Sequence, residues 1–370
     1  MRAKLTDELI REAAAHIAFD GQLLRYTPYG SGHINDTFAV YVGFEGKTKR
    51  YILQRINTDT FKDPESLMEN IAGVTSYLRR EIEARGGDYT RETLNIVPTV
   101  DGKTFYTDST GGAWRGYIFI EGATTYDAVE KPEDFYNAAR AFGKFQNLLQ
   151  KYPAAELHET IARFHDTAKR YRDLEAAIAA DKLGRAKDVQ PEIAFARARE
   201  KDCHALLDLL DKGELPLKVT HNDTKLNNVM IDDATGEGIA VIDLDTVMPG
   251  LAAYDFGDSI RFGASTARED EKDLDKVWMD ISLYEIYLKG FLETAGDGLS
   301  LAEKRSLPMG AKLMTLECGM RFLADYLEGD VYFRLHYPEQ NLDRCRTQFK
   351  LVADMERQWA DMEALVEKYA

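Results

Sequence analysis

Cysteine is scarce in this sequence, and its few copies are far apart. There are three among 370 residues, Cys203, Cys318 and Cys345. An odd number at such wide spacing matches neither a disulfide framework nor the short spacings of a metal-binding motif. Structural disulfides are typical of oxidising compartments, so we expect a protein of the reducing cytoplasm.

Long apolar runs and excess positive charge are missing too. No stretch approaches the roughly 18 apolar residues of a membrane helix, and residues 1–19 lack the apolar core of a signal peptide. Asp and Glu (63) outnumber Lys and Arg (47), which gives a net charge of −16. We therefore expect neither nucleic acid nor a membrane as a partner, and a nucleotide site would need local positive charge or Mg²⁺.

The sequence does contain a dense polar string between apolar runs at 219–229, with a shorter one soon after it. Asp223 is the candidate catalytic base, which would accept a hydrogen bond from an acceptor hydroxyl and take its proton during phosphoryl transfer. Asn228 and Asp243 offer the hard oxygen ligands that Mg²⁺ prefers. His221 is expected to brace the loop or orient a carbonyl group. A helix-capping aspartate beside a solvated turn would explain Asp223 alone, but not the whole string.

Further aspartates lie downstream of this string. Asp255 begins an Asp-Phe-Gly triplet, the letters of the metal-binding motif of protein kinases, but it lies well beyond Asp223 and directly before a helical segment. We therefore interpret Asp255 and Asp258 as structural carboxylates that cap this helix and steady the loop around Asp223. The role of Asp245 stays open: it could contact the metal ion or pair with Lys225.

Upstream, Gly30, Ser31 and Gly32 stand between two predicted strands. Glycines beside a small hydroxyl residue allow backbone N–H groups to approach phosphate oxygens, although a plain hairpin turn has the same composition. His33 and Asp36 lie at the tip of this loop, where they would reach the acceptor or the phosphates. The loop is therefore a candidate edge of the same site.

The order of predicted elements favours one fold class. Residues 1–122 are predicted to form a small, mostly antiparallel sheet with an N-terminal helix and one inserted helix at 61–83. Residues 123–370 are mainly helical, with a few short strands around 218–242. A β-rich lobe followed by a helical lobe that carries the catalytic string is the layout of a bilobal, protein-kinase-like α+β fold.

Several strings carry a resemblance to a known family, the aminoglycoside phosphotransferase-like kinases, which also include choline and homoserine kinases. These strings are 30–37, 221–228 and 242–245. A closer resemblance is to the bacterial N-acetylhexosamine 1-kinases. Its strings are 220–225, 243–250 and 254–258. The resemblance implies a kinase that uses ATP and Mg²⁺ to phosphorylate the anomeric hydroxyl of GlcNAc or GalNAc, and the choice of sugar comes from it alone.

The resemblance also implies roles for individual residues. Asp223 would be the base, and Asn228 and Asp243 would bind the metal ion. The segment 118–122, which includes Glu121, would pass the adenine as the hinge between the lobes. The roles of Asp223, Asn228 and Asp243 agree with those assigned from the chemistry of the residues, whereas the hinge comes from the resemblance alone.

One position departs from the family pattern. Where such kinases commonly carry a strand lysine that grips the phosphates, this chain has Gln54 followed by Arg55. Gln54 is neutral, and Arg55 would point to the opposite face of a regular strand unless a bulge turned it inward. Both are candidate nucleotide-binding residues. Glu69, on the following helix, is the candidate for the glutamate that usually pairs with the lysine.

Near the C-terminal end, Arg321 and Tyr332 resemble sugar-contacting positions of the N-acetylhexosamine kinases. Arginine supplies forked donors to ring hydroxyls, and tyrosine supplies a flat face and a hydroxyl. Alternatively, Glu317, Arg321 and Asp325 are spaced by four residues and would form a charged outer helix face.

Two other functions stay open. The acceptor could be another small alcohol, as in kinases of the choline, homoserine or aminoglycoside type. A non-catalytic, kinase-like binding protein is suggested by Gln54, but the presence of Asp223, Asn228 and Asp243 opposes it.

Overall fold

The computed structural model of the protein describes residues 3–30 and 34–370. Its strands are β1 Gln22–Pro28, β2 Asp36–Phe44, β3 Lys47–Arg55, β4 Ile96–Val97, β5 Tyr106–Thr107, β6 Ala113–Ile118, β7 Ala123–Thr124, β8 Lys218–Thr220, β9 Val229–Asp232, β10 Gly238–Val241 and β11 Met248–Gly250. Its helices are α1 Asp7–His16, α2 Pro64–Ala84, α3 Tyr89–Glu92, α4 Pro132–Leu148, α5 Thr167–Ala180, α6 Gln190–Arg197, α7 Ala205–Asp211, α8 Ala252–Gly263, α9 Ile281–Ala295, α10 Leu301–Glu328, α11 Gln340–Arg357 and α12 Trp359–Tyr369.

The N-terminal part is an antiparallel sheet in the order β1-β2-β3-β6-β4, with β5 paired to the start of β6. Strand side chains alternate between its two faces. One face packs on α1, where Leu9 shares a buried cluster with Leu53 and Trp114. The other face carries Gln54 of β3 and Arg115 of β6 and forms a wall of the cleft described below.

The C-terminal part is organised around α10, a helix of 28 residues that contacts α5, α8, α11 and α12. It begins with a capping box formed by Ser300 and Glu303 and ends at Gly329 in the left-handed conformation. α4 packs along α9, and α2 joins the same core from the N-terminal part. A sheet region followed by a larger helical part confirms the predicted fold class.

α8 and α10 cross at a pair of glycines. A Cβ atom built on Gly257 would lie 2.3 Å from the carbonyl oxygen of Gly310, and one built on Gly310 would lie 2.1 Å from that of Ala253. The two backbones therefore touch, and no side chain fits between them. This contact fixes the position of α8.

Two short antiparallel sheets hold the polar strings. β8 pairs with β11, and β9 pairs with both β10 and β7. We call 221–228, between β8 and β9, the base loop, and 242–247, between β10 and β11, the metal loop. The backbone N–H of Ile242 donates to the carbonyl oxygen of Asn228 at 2.9 Å, which brings the two loops together.

The first sheet ends with β6 at Ile118, and β7 already belongs to the strands of the C-terminal part. The predicted division of the chain into 1–122 and 123–370 falls between them and stays a prediction. None of the helices within the described ranges combines the length and the apolar character that a bilayer crossing requires. The three cysteines are free thiols.

Candidate active site

A cleft of about 650 Å³ lies between the N-terminal sheet and the C-terminal part. Its lining contains an apolar group and a polar group. The apolar group includes Ile52, Leu94, Phe119, Ile120, Met230 and Ile242. The polar group includes Gln54, Arg115, Asp223, Lys225, Asn228 and Asp243. Apolar walls with a few convergent polar side chains are typical of small-molecule sites.

The base loop is held by two aspartates of α8. The carboxylate of Asp255 accepts the backbone N–H groups of residues 221 and 222 at 3.0 and 2.8 Å. Asp258 accepts the backbone N–H of Thr224 at 2.9 Å, and both carboxylates are buried. These contacts confirm that the pair steadies the loop around Asp223. The capping role is wrong, because neither aspartate occupies the N-cap position of α8.

His221 braces the site and does not line the cleft. It is fully buried, with Nε2 2.8 Å from the carbonyl oxygen of Ile242. Its Nδ1 accepts the backbone N–H of Asp223 at 3.3 Å, so Nε2 is assigned as the protonated nitrogen. His221 thus ties the base loop to the metal loop. These contacts place His221 to position the two loops and not to touch a molecule in the cleft.

Asp223 is engaged on both carboxylate oxygens and still accessible. Lys225 Nζ lies 2.9 Å from Oδ1, and Asn228 Nδ2 lies 3.2 Å from Oδ2. The side chain is 27% exposed, so an acceptor hydroxyl could reach it. Burial opposes the charge of Lys225, but the Asp223 carboxylate outweighs this effect and the pKa of Lys225 is raised. A cation therefore stands beside the candidate base.

Asn228 and Asp243 line the same cleft as the base. Asn228 Nδ2 also donates to the backbone carbonyl of Asp223 at 2.7 Å, which leaves the amide oxygen for another partner. Asp243 lies in the left-handed region, with φ 57°, directly after β10. Burial and the charges of Asp245 and Asp223 raise the pKa of Asp243 to about 6.

This donor set fits a cation that also binds phosphate oxygens. Carboxylates that repel one another in a buried site are stabilised by a divalent ion. Within residues 3–30 and 34–370, no three His, Cys, Asp or Glu side chains form a metal cage. Mg²⁺ commonly takes one or two protein oxygens and completes its shell with phosphates and water. Asn228 and Asp243 would therefore suffice as the protein ligands of such an ion.

Arg115 is a charged residue of the cleft that the sequence analysis missed. It donates to Gln54 Oε1 from Nε and Nη2 at 2.9 and 2.7 Å, and its Nη1 lies 2.6 Å from Asp245 Oδ1. The second oxygen of Asp245 accepts the amide of Asn35 at 2.7 Å. Asp245 is thus the partner of Arg115, whereas Lys225 pairs with the base. An arginine inside an otherwise apolar strand was the available signal, since such a charge is buried only with partners.

The predicted nucleotide-binding residues are only partly brought together. Gly30, with φ 79°, and Gln54 line the cleft. Ser31 and Gly32, like the acceptor candidate His33, lie outside the described residues. Arg55 is on the opposite face of β3, where it donates to the carbonyl of Ala3 at 2.9 Å. No bulge turns it inward, because β3 keeps a regular register with both neighbours.

The two predicted glutamates also point away from the cleft. Glu121 forms an ion pair with Arg50, although the preceding residues 118–120 line the cleft as expected of a hinge. Glu69 lies on the exposed side of α2 and contacts His158 at 2.7 Å. It is therefore not placed to pair with a strand cation.

Among the acceptor candidates, Asp36 begins β2 and lies between two residues that line the cleft, Asn35 and Thr37. Arg321 and Tyr332 lie together outside this lining, and Tyr332 is 70% exposed.

The guanidinium carbon of Arg321 is surrounded by aromatic rings. The ring centroids of Phe164, Tyr332 and Phe333 lie 6.0, 5.9 and 5.4 Å from it.

A charged outer helix face does not form around Arg321. Glu317 instead contacts His165 at 3.1 Å, and Asp325 accepts the backbone N–H groups of 331–333 at 2.8 to 3.0 Å. Within the part of the chain that the structure describes, no ion pair joins Arg321 to either carboxylate. The imidazole of His165 also lies 3.2 Å from the carbonyl oxygen of Asn222, which connects this region to the base loop.

A sheet region and a helical part that enclose a candidate base and two candidate oxygen ligands are the arrangement of protein-kinase-like phosphotransferases. The model of the phosphotransferase enzyme family, APH, matches residues 25–278 of this sequence. Because this match spans more than half of the chain, the protein belongs to that family and is a phosphotransferase.

Solved structures share the fold at low sequence identity. An aminoglycoside phosphotransferase from Alicyclobacillus acidocaldarius is 12% identical, with TM-score 0.60, over 100% of this chain and 98% of that one. Choline kinase from Cryptosporidium parvum is 15% identical, with TM-score 0.52, over 93% and 92%. A spectinomycin phosphotransferase solved with ADP and spectinomycin is 13% identical, with TM-score 0.50, over 95% and 100%.

Proposed function

We propose that this phosphotransferase is an ATP- and Mg²⁺-dependent kinase that converts an N-acetylhexosamine, GlcNAc or GalNAc, to its 1-phosphate. The observation that carries the kinase assignment is the meeting of Asp223, Asn228 and Asp243 in one cleft. The choice of sugar comes from the resemblance of 220–225, 243–250 and 254–258 to N-acetylhexosamine kinases.

The nucleotide would occupy the cleft with its base against the apolar group. Ile52 from the N-terminal sheet and Met230 from β9 would enclose the flat ring, and 118–120 would supply the hinge backbone. Gly30 stands where the phosphates would approach the N-terminal loop. The ADP complex of spectinomycin phosphotransferase, which shares the fold, supports the choice of an adenine nucleotide.

Asn228 and Asp243 would hold Mg²⁺, which when bound neutralises charge on the phosphates. Asp223 would orient the acceptor hydroxyl, whose oxygen attacks the γ-phosphorus. The new bond forms as the bond from the γ-phosphorus to the β–γ bridging oxygen breaks, and ADP leaves. The hydroxyl proton passes to Asp223 late in the step, so the main contribution of Asp223 is orientation.

The surroundings of Arg321 favour a neutral acceptor. Its guanidinium has aromatic neighbours and no ion pair to Glu317 or Asp325, so its donors suit ring hydroxyls and an acetamido carbonyl. An aromatic cage that binds the choline cation would contain no cationic side chain of the protein. Here, by contrast, the rings of Phe164 and Tyr332 already face the guanidinium of Arg321. A cationic aminoglycoside would be repelled by the same group.

The test is an ATP-consumption assay with Mg²⁺ over GlcNAc, GalNAc, glucose, galactose, choline and kanamycin. We expect turnover of an acetamido sugar and formation of a 1-phosphate identified by NMR. If another acceptor is used and neither acetamido sugar is, the sugar assignment is wrong and the kinase assignment stands.

A variant pair tests the base. We expect Asp223→Asn to lower kcat by about 10²-fold or more with little change in the KM of the sugar, since the group acts mainly in the transition state. Asp211→Asn, an exposed aspartate of α7, is the matched control and should keep wild-type kinetics. Wild-type kcat in Asp223→Asn would remove the residue from this role.

A further inference from the structure

One charged side chain of the cleft has no part in the steps described so far. The guanidinium of Arg115 is only 1% exposed, yet it lines the cleft. It stands directly opposite Gln54 in the pairing of β6 with β3, and both side chains project to the same face of the sheet. A buried cation is costly unless charged or polar partners surround it, so its place requires an explanation.

The partners of Arg115 hold it without using all its donors. Two N–H groups bind Gln54, Nη1 forms an ion pair with Asp245 at 2.6 Å, and an N–H of Nη1 also faces the sulfur of Met68 at 3.8 Å, a weak contact. A guanidinium has five N–H groups. One donor on Nη2 and the weakly engaged donor on Nη1 therefore remain for an acceptor in the cleft. Gln54 itself is fixed by donating to Thr37 Oγ at 2.9 Å.

The lysine–glutamate pair of related kinases has no counterpart among the described residues. Gln54 stands at the expected lysine position, and Glu69 on α2 faces solvent and His158. The residue that α2 directs at the cation is Met68, which is neutral. Arg115, on a different strand, instead forms an ion pair with Asp245 of the metal loop.

We propose that Arg115 binds the phosphate groups of the nucleotide in place of the strand lysine, and that Gln54 positions its guanidinium for this contact. The proposal rests on the proposed function, because it supposes that the cleft accepts a nucleoside triphosphate. Arginine suits the task, since its planar fork matches phosphate oxygens and stays charged when buried. Asp245 then acts as the counter-ion that makes the buried charge tolerable.

The test compares ligands with and without phosphates. ATP and adenosine are titrated by isothermal calorimetry in the presence of EDTA, so that no divalent metal ion contributes to binding. For Arg115→Met we expect ATP affinity to fall about 10- to 100-fold, the range for losing hydrogen bonds to a charged group. Adenosine affinity should stay unchanged, because the apolar part of the cleft is intact.

Arg55→Met is the matched control. Arg55 is 2% exposed in the same sheet, but it lies on the opposite face beside Asp108. It should lose stability without changing the ratio of ATP to adenosine affinity. Arg115→Lys, which keeps the charge and loses the fork, should show an intermediate loss. The single variant Arg115→Met leaves the buried carboxylate of Asp245 without its cation. If it fails to fold for this reason, the double variant Arg115→Met with Asp245→Asn is titrated in its place.

The outcomes separate the two proposals. If the wild type binds ATP and the folded Arg115 variants bind ATP and adenosine equally well, the role of Arg115 is refuted and the kinase assignment survives. If the wild type binds adenosine and ATP with the same affinity, no phosphate contact exists and the Arg115 proposal is refuted directly. If the wild type binds neither ligand, the nucleotide assignment itself fails and this proposal fails with it.

Discussion

The glycine crossing of α8 and α10 makes Gly257→Ala a sharp test of how the base loop is supported. The added Cβ would lie 2.3 Å from the carbonyl oxygen of Gly310, and 2.9 Å from the backbone nitrogen of Ala311. Both obstacles are backbone atoms that cannot rotate away. Ordinary contact begins near 3.4 Å, so α8 must move by roughly 1 Å.

Overpacking of this kind costs about 1–3 kcal/mol, and we expect the upper end because backbone must move against backbone. The same shift would displace Asp255 and Asp258, whose hydrogen bonds to the base loop are 2.8 to 3.0 Å long. A misplacement of about 1 Å in a catalytic group can lower turnover by about 10²-fold. Stability and kcat should therefore fall together.

Urea unfolding followed by circular dichroism and steady-state kinetics at low urea measure the two effects. Gly296→Ala is the matched control, because a Cβ there meets nothing within 4 Å and the residue has φ −43°. It should change stability by less than about 0.5 kcal/mol. A Gly257→Ala protein with the wild-type midpoint would refute the tight crossing. A destabilised variant with unchanged kcat would refute its link to the base loop.

Two further predictions concern pH. Burial and the charges of Asp245 and Asp223 raise the pKa of Asp243 to about 6. Because Mg²⁺ binds the ionised carboxylate, it should raise the melting temperature more at about pH 7.5 than at about pH 5. Equal protection at both values would contradict Asp243 as a ligand. Burial lowers the pKa of His165, but the charge of Glu317 outweighs it and the net pKa is raised. Protonation of His165 therefore stabilises the folded protein fully below the pKa of the unfolded state, and this contribution disappears as the pH rises through the higher pKa of the folded state. Between about pH 6 and 9, the unfolding free energy of the wild type should fall more than that of His165→Gln. Urea unfolding with the same pH dependence in both proteins would contradict this.

The proximity of the candidate reaction-centre residues was predictable, because they lie in one short stretch of sequence. Asp223, Asn228 and Asp243 stand at strand ends, where the apolar runs around them fix their direction. The bracing role of Asp255 was predicted together with a capping role that is wrong, because Asp255 lies inside α8 and not before it. These inferences need only local patterns, and the cleft contains all three candidate groups.

The positions of Arg115 and Glu69 relative to the cleft depend on how elements that are distant in sequence pack together. No local pattern says that β6 lies beside β3, which is what sets Arg115 opposite Gln54. The rotation of α2 was partly readable, since the buried residues Leu67, Met68 and Ile71 define a stripe that leaves Glu69 outside. The lysine position of the family drew attention to Gln54 and Arg55, whereas the cation that lies beside Gln54 in the cleft is Arg115 of β6.

The base loop and the metal loop belong to one continuous segment, 218–250, that closes on itself through β8–β11 and β9–β10. Contacts of short sequence separation form with little loss of chain entropy. The segment can therefore assemble as a local unit and later dock on α8. The proposed phosphate and acceptor contacts would come from distant parts of the chain, near Arg115 and Arg321. Substitutions near Arg115 and Arg321 could thus change the substrate while segment 218–250 stays the same.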